Sequence, residues 1–153
     1  TAAQHDYAFA VVGAGGKSNA QLDQTVGTQF LDTNGKIEID TESWIFGYPS
    51  AGKYKGNDLV YCRNLLGYDG KYGVDWSTYK LACGMTAGSS GGPWFRQFSV
   101  TAPTAGMGIV FSVTSYSYGG TKNLYGPVFD TEVANMMQVA STTNSNVTYV
   151  LMP

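Results

Sequence analysis

The chain has 153 residues, of which 43% are apolar and 13% charged, with a net charge of −2. That length and apolar content suit one domain with a sizeable core and exclude a disordered tail. So little charge leaves no basic surface for nucleic acid, and no run of about 18 apolar residues is present to span a membrane.

The chain starts at Thr1 without Met or a signal peptide, which reads as a processed, mature, secreted product. Low charge with abundant Gly, Ser, Thr, Asn and Tyr fits a secreted, extracellular all-β protein. Short strands are expected over 7–12, 26–31, 36–39, 43–47, 58–64, 79–83, 93–97, 107–115 and 123–129, separated by Gly- and Asn-rich turns. In the first of these, His5-Asp6 heads the apolar run Tyr7-Ala8-Phe9-Ala10-Val11-Val12. Gly13-Ala14-Gly15-Gly16-Lys17-Ser18 follows and ends like a phosphate-cradling loop. That motif needs its first glycine where Val11 stands, and the segment Asn19 to Thr25 is a weak helix, so a flexible link is the better reading. Asn34-Gly35 is a hairpin signal.

Cys62 and Cys83 close a loop of about 20 residues if paired, a cross-link worth roughly 3 kcal/mol in the chain-entropy view. Two distant cysteines and one His make no metal pattern, and no cofactor is implied. Cys83 precedes Gly88-Ser89-Ser90-Gly91-Gly92-Pro93-Trp94, where glycines flank a serine on both sides. Acyl transfer needs such a turn. The serine oxygen must stand beside backbone N–H groups that can hold an oxyanion, and the N–H groups of Gly88 and Ser90 are the candidates. Asp130 can cap a helix over 131–140, with Val133, Met136, Met137 and Ala140 as its core stripe. Ser141 to Asn146 reads as a polar linker to an extended segment from Val147 to Met152. Asn146-Val147-Thr148 fits a glycosylation sequon in a eukaryotic source. No internal repeat and no second domain are visible.

Four stretches carry a resemblance: the Asp6 strand, Trp44-Ile45-Phe46-Gly47-Tyr48-Pro49, Leu81 to Phe95 around the serine loop, and Leu124-Tyr125-Gly126-Pro127-Val128-Phe129. In that order they are similar to stretches of the trypsin/chymotrypsin-like serine peptidases, in particular the secreted microbial trypsin-like and glutamyl endopeptidase-like branches. The resemblance implies a chymotrypsin-like Greek-key β-barrel, the second barrel of a two-barrel fold, with a C-terminal helix. Residues 1–25 would then be the last strand of a first barrel plus the inter-barrel link, and residues 26–153 the second barrel, helix and tail.

The same resemblance implies catalytic roles for Ser90 as nucleophile and Asp6 as the carboxylate that orients a His. The family's His precedes its Asp, whereas the only His here is His5. Neighbours on a strand point to opposite faces, so His5 does not fall between Asp6 and Ser90, and a surface role suits it better. A partner is therefore expected: an N-terminal chain or segment carrying the catalytic His, with a protein or peptide as substrate. Ser89 stands where many relatives carry an Asp that pairs with a freed N-terminal amine. Gly84, beside Met85, replaces the Asp that binds basic side chains, so a pocket floored by Gly84 and Met85 suits an apolar residue. The glutamyl branch uses hydroxyl and His groups around its pocket, and Thr86, Thr114, Ser115 and Ser117 supply only hydroxyls. The strand carrying Thr114, Ser115, Tyr116 and Ser117 is expected to wall the pocket and pair with substrate backbone. The competing reading is a catalytically inactive, protease-like binding module.

Overall fold

The computed structural model describes residues 2–16, 18–72 and 78–143. Among the described residues eight strands form two sheets: β1 Phe30–Leu31, β2 Glu42–Gly47, β3 Val60–Leu65, β4 Gly67–Tyr68, β5 Thr78–Ala82, β6 Pro93–Arg96, β7 Ile109–Val113 and β8 Asn123–Pro127. A short helix α1, Leu22–Val26, precedes them, and α2, Thr131–Thr142, follows. The first sheet runs β1-β7-β6-β2-β3 and the second β4-β5-β8. Strand alternation sends Ile45, Trp94 and Phe111 inward from the first sheet, against Tyr79, Leu81 and Leu124 from the second. Each large apolar side chain fully buried there contributes about 1.5–3 kcal/mol. Cys62 on β3 and Cys83 after β5 form the expected disulfide, with their Cα atoms 5.6 Å apart.

The sequence reading places strands β2, β3, β5, β6, β7 and β8 to within a few residues, and misses β4, which is only two residues long. It differs from the structure in four places, the first being the expected strand 26–31, which is reduced to the two residues of β1 because Val26 closes α1 and Gly27 follows it at φ +78°. Residues 7–12 form no β-ladder among the described residues: Tyr7 meets the rest of the chain through its side chain against Phe129, not through backbone pairing. Asn34-Gly35 makes no hairpin: both the backbone and side-chain amides of Asn34 donate to Asp32 Oδ1, and the Gly35 N–H donates to the Phe129 carbonyl. The 36–39 segment is likewise no strand. Ile37 donates its N–H to the Tyr79 hydroxyl and accepts from the Tyr68 hydroxyl, so tyrosine oxygens satisfy what a ladder would have satisfied. The isolated Gly15–Ala20 bridge closes the glycine-rich link, and helix begins only at Leu22, so no phosphate-cradling helix start follows Gly16.

Asp130 caps α2 by accepting from the Glu132 N–H at 2.9 Å. Of the expected core stripe Val133 is buried, Met136 and Ala140 are half-buried and Met137 is exposed. Lys17, the segment 147–152 and the Asn146 sequon lie outside the described residues.

Two buried carboxylates tie distant segments. Asp32 accepts from Arg96 Nε at 3.0 Å and Nη2 at 2.8 Å, joining the chain after β1 to β6. Burial opposes its ionisation, but the Asn34 amide and the Arg96 guanidinium outweigh this and hold it below the usual carboxylate range. Asp69 is also buried. Burial raises it, while hydrogen bonds from Tyr118, the Lys71 amide and Tyr116 lower it further than burial lifts it. A depressed carboxylate contributes stability that is present above its unfolded value of about 4 and lost as pH falls through the folded one. The thermal midpoint is therefore expected to drop below about pH 4. Asp32→Asn should be less stable at pH 6 and show a shallower acid-side slope in a pH series of melting curves.

Candidate active site

The serine loop joins β5 to β6 and is clamped between the ends of β2 and β7. Gly88 has φ +99°, and a Cβ there would lie 2.6 Å from Ser50 Oγ and 2.8 Å from the Tyr48 carbonyl oxygen. A Cβ on Gly92 would overlap the Phe46 carbonyl oxygen. Conformation and space together thus demand glycine at Gly88, and space alone demands it at Gly92. Thr86 and Ala51 bond reciprocally, the Ala51 N–H donating to Thr86 Oγ1 and that hydroxyl donating to the Ala51 carbonyl. Ser50 donates both its N–H and its hydroxyl to the Ala87 carbonyl. On the other side Gly91 donates to the Thr114 carbonyl at 2.8 Å, and Thr114 donates to that of Gly92 at 2.9 Å. The buried Ser89 hydroxyl donates to the Thr86 carbonyl at 2.8 Å, so the position carries a neutral local bond and no ion pair.

Within this clamp the N–H groups of Gly88 and Ser90 have no acceptor among the described residues. Ser90 itself is exposed and borders two cavities. One, of about 480 Å³, is lined largely by apolar groups including Phe46, Leu59, Phe95 and Phe98. The other, of about 490 Å³, has Asp6 and Ser90 in its walls together with Phe9, Leu31, Val110 and Phe129. Asp6 and Ser90 are 84 positions apart in the chain, and the fold brings them to one cleft. There Asp6 Oδ2 accepts from the Ser115 hydroxyl at 2.5 Å.

His5 borders the same cleft, but its Nδ1 lies 2.8 Å from Glu132 Oε2 on α2. Tyr7 donates to the same oxygen at 3.3 Å and packs edge-on against Phe129. Burial, then the charges of Asp130 and Glu132, push the Tyr7 phenol up to about 12. The imidazole is thus held toward the helix and forms no bond to Asp6 or Ser90.

The expected pocket residues divide. Thr114 lines the cleft, but its Oγ1 accepts from Trp94 Nε1 at 2.9 Å and is buried. Ser115 spends its hydroxyl on Asp6. Met85 turns into the core cluster at 5% exposure, while Gly84 is exposed. Neither cavity bordered by Ser90 includes Gly84, Met85, Ser115, Tyr116 or Ser117. The backbone of the 115–117 segment is one-sided. Ser115 and Tyr116 donate to the Tyr125 carbonyl and Tyr125 donates back to Tyr116. The Ser115 carbonyl and both backbone groups of Ser117 have no partner among the described residues. That is an open edge an extended peptide could join.

Sequence reasoning missed the Thr86–Ala51 bond, the contact of Ser115 with Asp6, and the buried Asp69 beneath Tyr116 and Tyr118. None leaves a local signal, since each depends on residues at least 35 positions apart. Among the described residues no group of three His, Cys, Asp or Glu side chains could hold a metal ion, and no helix is long and apolar enough to cross a membrane.

No protein-family model matches the chain, and no curated protein does. Solved structures do. Protease Anisep from Arthrobacter nicotinovorans is 28% identical with a TM-score of 0.70, and the match covers 84% of this chain and 55% of that one. The thermostable serine protease AL20 from an extremophilic microorganism is 32% identical with a TM-score of 0.67, over the same shares. The scabies mite inactivated protease paralogue S-I1, 11% identical with a TM-score of 0.55, shares the fold. The chain spans about half the length of each of these structures. Its fold is chymotrypsin-like, all-β with one longer helix at the C-terminal end of the described residues.

Proposed function

We propose that this chain is the nucleophile-bearing half of a secreted serine endopeptidase, of the microbial trypsin-like or glutamyl endopeptidase-like kind, whose imidazole comes from another segment or chain. The observation that carries the reading is the shared cleft. Ser90 and Asp6 border it together, Ser115 holds the carboxylate, and two unpartnered N–H groups stand beside the serine.

In this mechanism the incoming imidazole takes the Ser90 proton as Oγ attacks the peptide carbonyl carbon. The carbonyl oxygen becomes an oxyanion and receives hydrogen bonds from the Gly88 and Ser90 N–H groups. The C–N bond then breaks and the proton passes to the leaving amine, leaving an ester on Ser90. Water, deprotonated by the same imidazole, hydrolyses the ester. Asp6 stays ionised throughout, orienting the imidazole and stabilising its protonated form. Peptide substrate adds to the open edge at Ser115 and Ser117. Phe9, Val11, Val12, Val26 and Phe30 are exposed apolar side chains that a His-bearing partner would cover. The disulfide is consistent with an extracellular location.

A second reading has its own observation. The chain's one imidazole is engaged by Glu132, so the chain alone has no base at Ser90 and would serve as an inactive binding module. Denaturing, non-reduced mass spectrometry of native material treated with a fluorophosphonate separates the two. An adduct on Ser90 accompanied by a second, His-bearing chain or segment is the expected result. No adduct, with a single species of this chain's mass, would overturn the peptidase reading in favour of the binding module.

A further inference from the structure

We propose that Asp69 is a positioning residue for peptide substrate: it locks Tyr116 and Tyr118, and so holds the backbone of Ser117 between them as a ready-made pairing edge. The inference rests on the peptidase reading and assigns a part of its specificity machinery.

Asp69 follows β4 and is 2% exposed. Its Oδ2 accepts from the Tyr116 hydroxyl at 2.8 Å and from the Tyr118 hydroxyl at 2.6 Å, and its Oδ1 accepts from the Lys71 N–H at 3.0 Å. Its own N–H donates to the Thr78 carbonyl, and the Tyr116 hydroxyl also reaches Thr78 Oγ1 at 3.2 Å. A buried carboxylate with this many donors has one low-energy arrangement, because losing any donor leaves charge poorly solvated. Tyr125 completes the lock. Its ring stacks on Tyr116 with centroids 4.9 Å apart and meets the edge of Tyr118 at 4.8 Å.

The two anchored tyrosines flank Ser117, whose backbone N–H and carbonyl are unpartnered among the described residues. Backbone pairing with a peptide gains affinity only if that edge is already extended, since ordering it on binding costs about 1–2 kcal/mol per residue. Ser115 is secured independently, by its N–H to the Tyr125 carbonyl and its hydroxyl to Asp6. Losing the Asp69 anchor should therefore loosen the Ser117 end and spare the chemistry at Ser90.

The test uses the complete native protease with Asp69→Asn and, as a milder second variant, Tyr118→Phe. Each is assayed on a peptide extending at least three residues before the scissile bond and on a single-residue ester, with the Ser90 fluorophosphonate labelling rate alongside. The expected result for Asp69→Asn is a rise in peptide KM of about tenfold, with ester kcat/KM and labelling within about twofold of the parent. Tyr118→Phe should show the same split at smaller size. Peptide and ester losses of equal size, or an unchanged peptide KM in both variants, would overturn the inference while leaving the peptidase reading intact. A parent protein that neither labels nor cleaves either substrate would remove the peptidase reading, and this inference with it.

Discussion

Ser90→Ala, in native material that retains the imidazole donor, is expected to lose the fluorophosphonate adduct and about 10⁴- to 10⁶-fold in kcat, with little change in KM. The effect is this large because in the proposed mechanism the serine oxygen forms the acyl bond that replaces the amide, and no neighbouring group can substitute for it: Ser89 Oγ is buried and bonded to Thr86. The residual rate would come from the oxyanion donors and substrate binding. Folding should be nearly unaffected, since Ser90 is exposed and its hydroxyl makes no bond among the described residues. Active-site titration with parallel melting curves checks both parts. A variant that loses activity together with stability would instead point to a structural role for the loop.

Asp6→Asn should lower kcat by about 10⁴-fold with KM little changed. The amide keeps the size of the carboxylate but carries no charge to stabilise an imidazolium. It can also present an N–H where an oxygen is needed, which selects the wrong imidazole tautomer. Ser115→Ala offers a graded comparison. It removes one donor to Asp6 and leaves the charge, so its loss should be much smaller, about tenfold. Single-turnover labelling of Ser90 and steady-state kinetics read both. Equal effects for the two variants would mean that Asp6 matters only as a packing element for the 114–116 segment.

The serine loop was legible in the sequence because its demands are local. Gly88 must adopt positive φ and Gly92 must admit the Phe46 carbonyl, and both requirements show in the composition of five consecutive positions. The helix after Asp130 was legible for the same reason, a cap and a periodic stripe, though the stripe overstated burial: periodicity reports which face is apolar and says nothing about how much of it finds a neighbour. The expected strand at 7–12 shows the converse limit. Its apolar residues are those of a strand, but pairing is a property of two segments, and no strand pairs with it among the described residues.

What the sequence determined by itself was therefore the β-rich class, the disulfide pairing, the glycine-flanked serine turn and the C-terminal helix. All follow from short-range steric rules or from having only two cysteines to join. The tertiary structure decided which groups meet. It put Asp6 against Ser115 across 109 positions and set Asp69 beneath Tyr116 and Tyr118. It also buried Met85 in the core cluster and held the only His on Glu132. Those outcomes depend on strand register and on the packing of one sheet over the other, where a shift of one residue sends a side chain to the opposite face. No stretch of chain read alone contains that information.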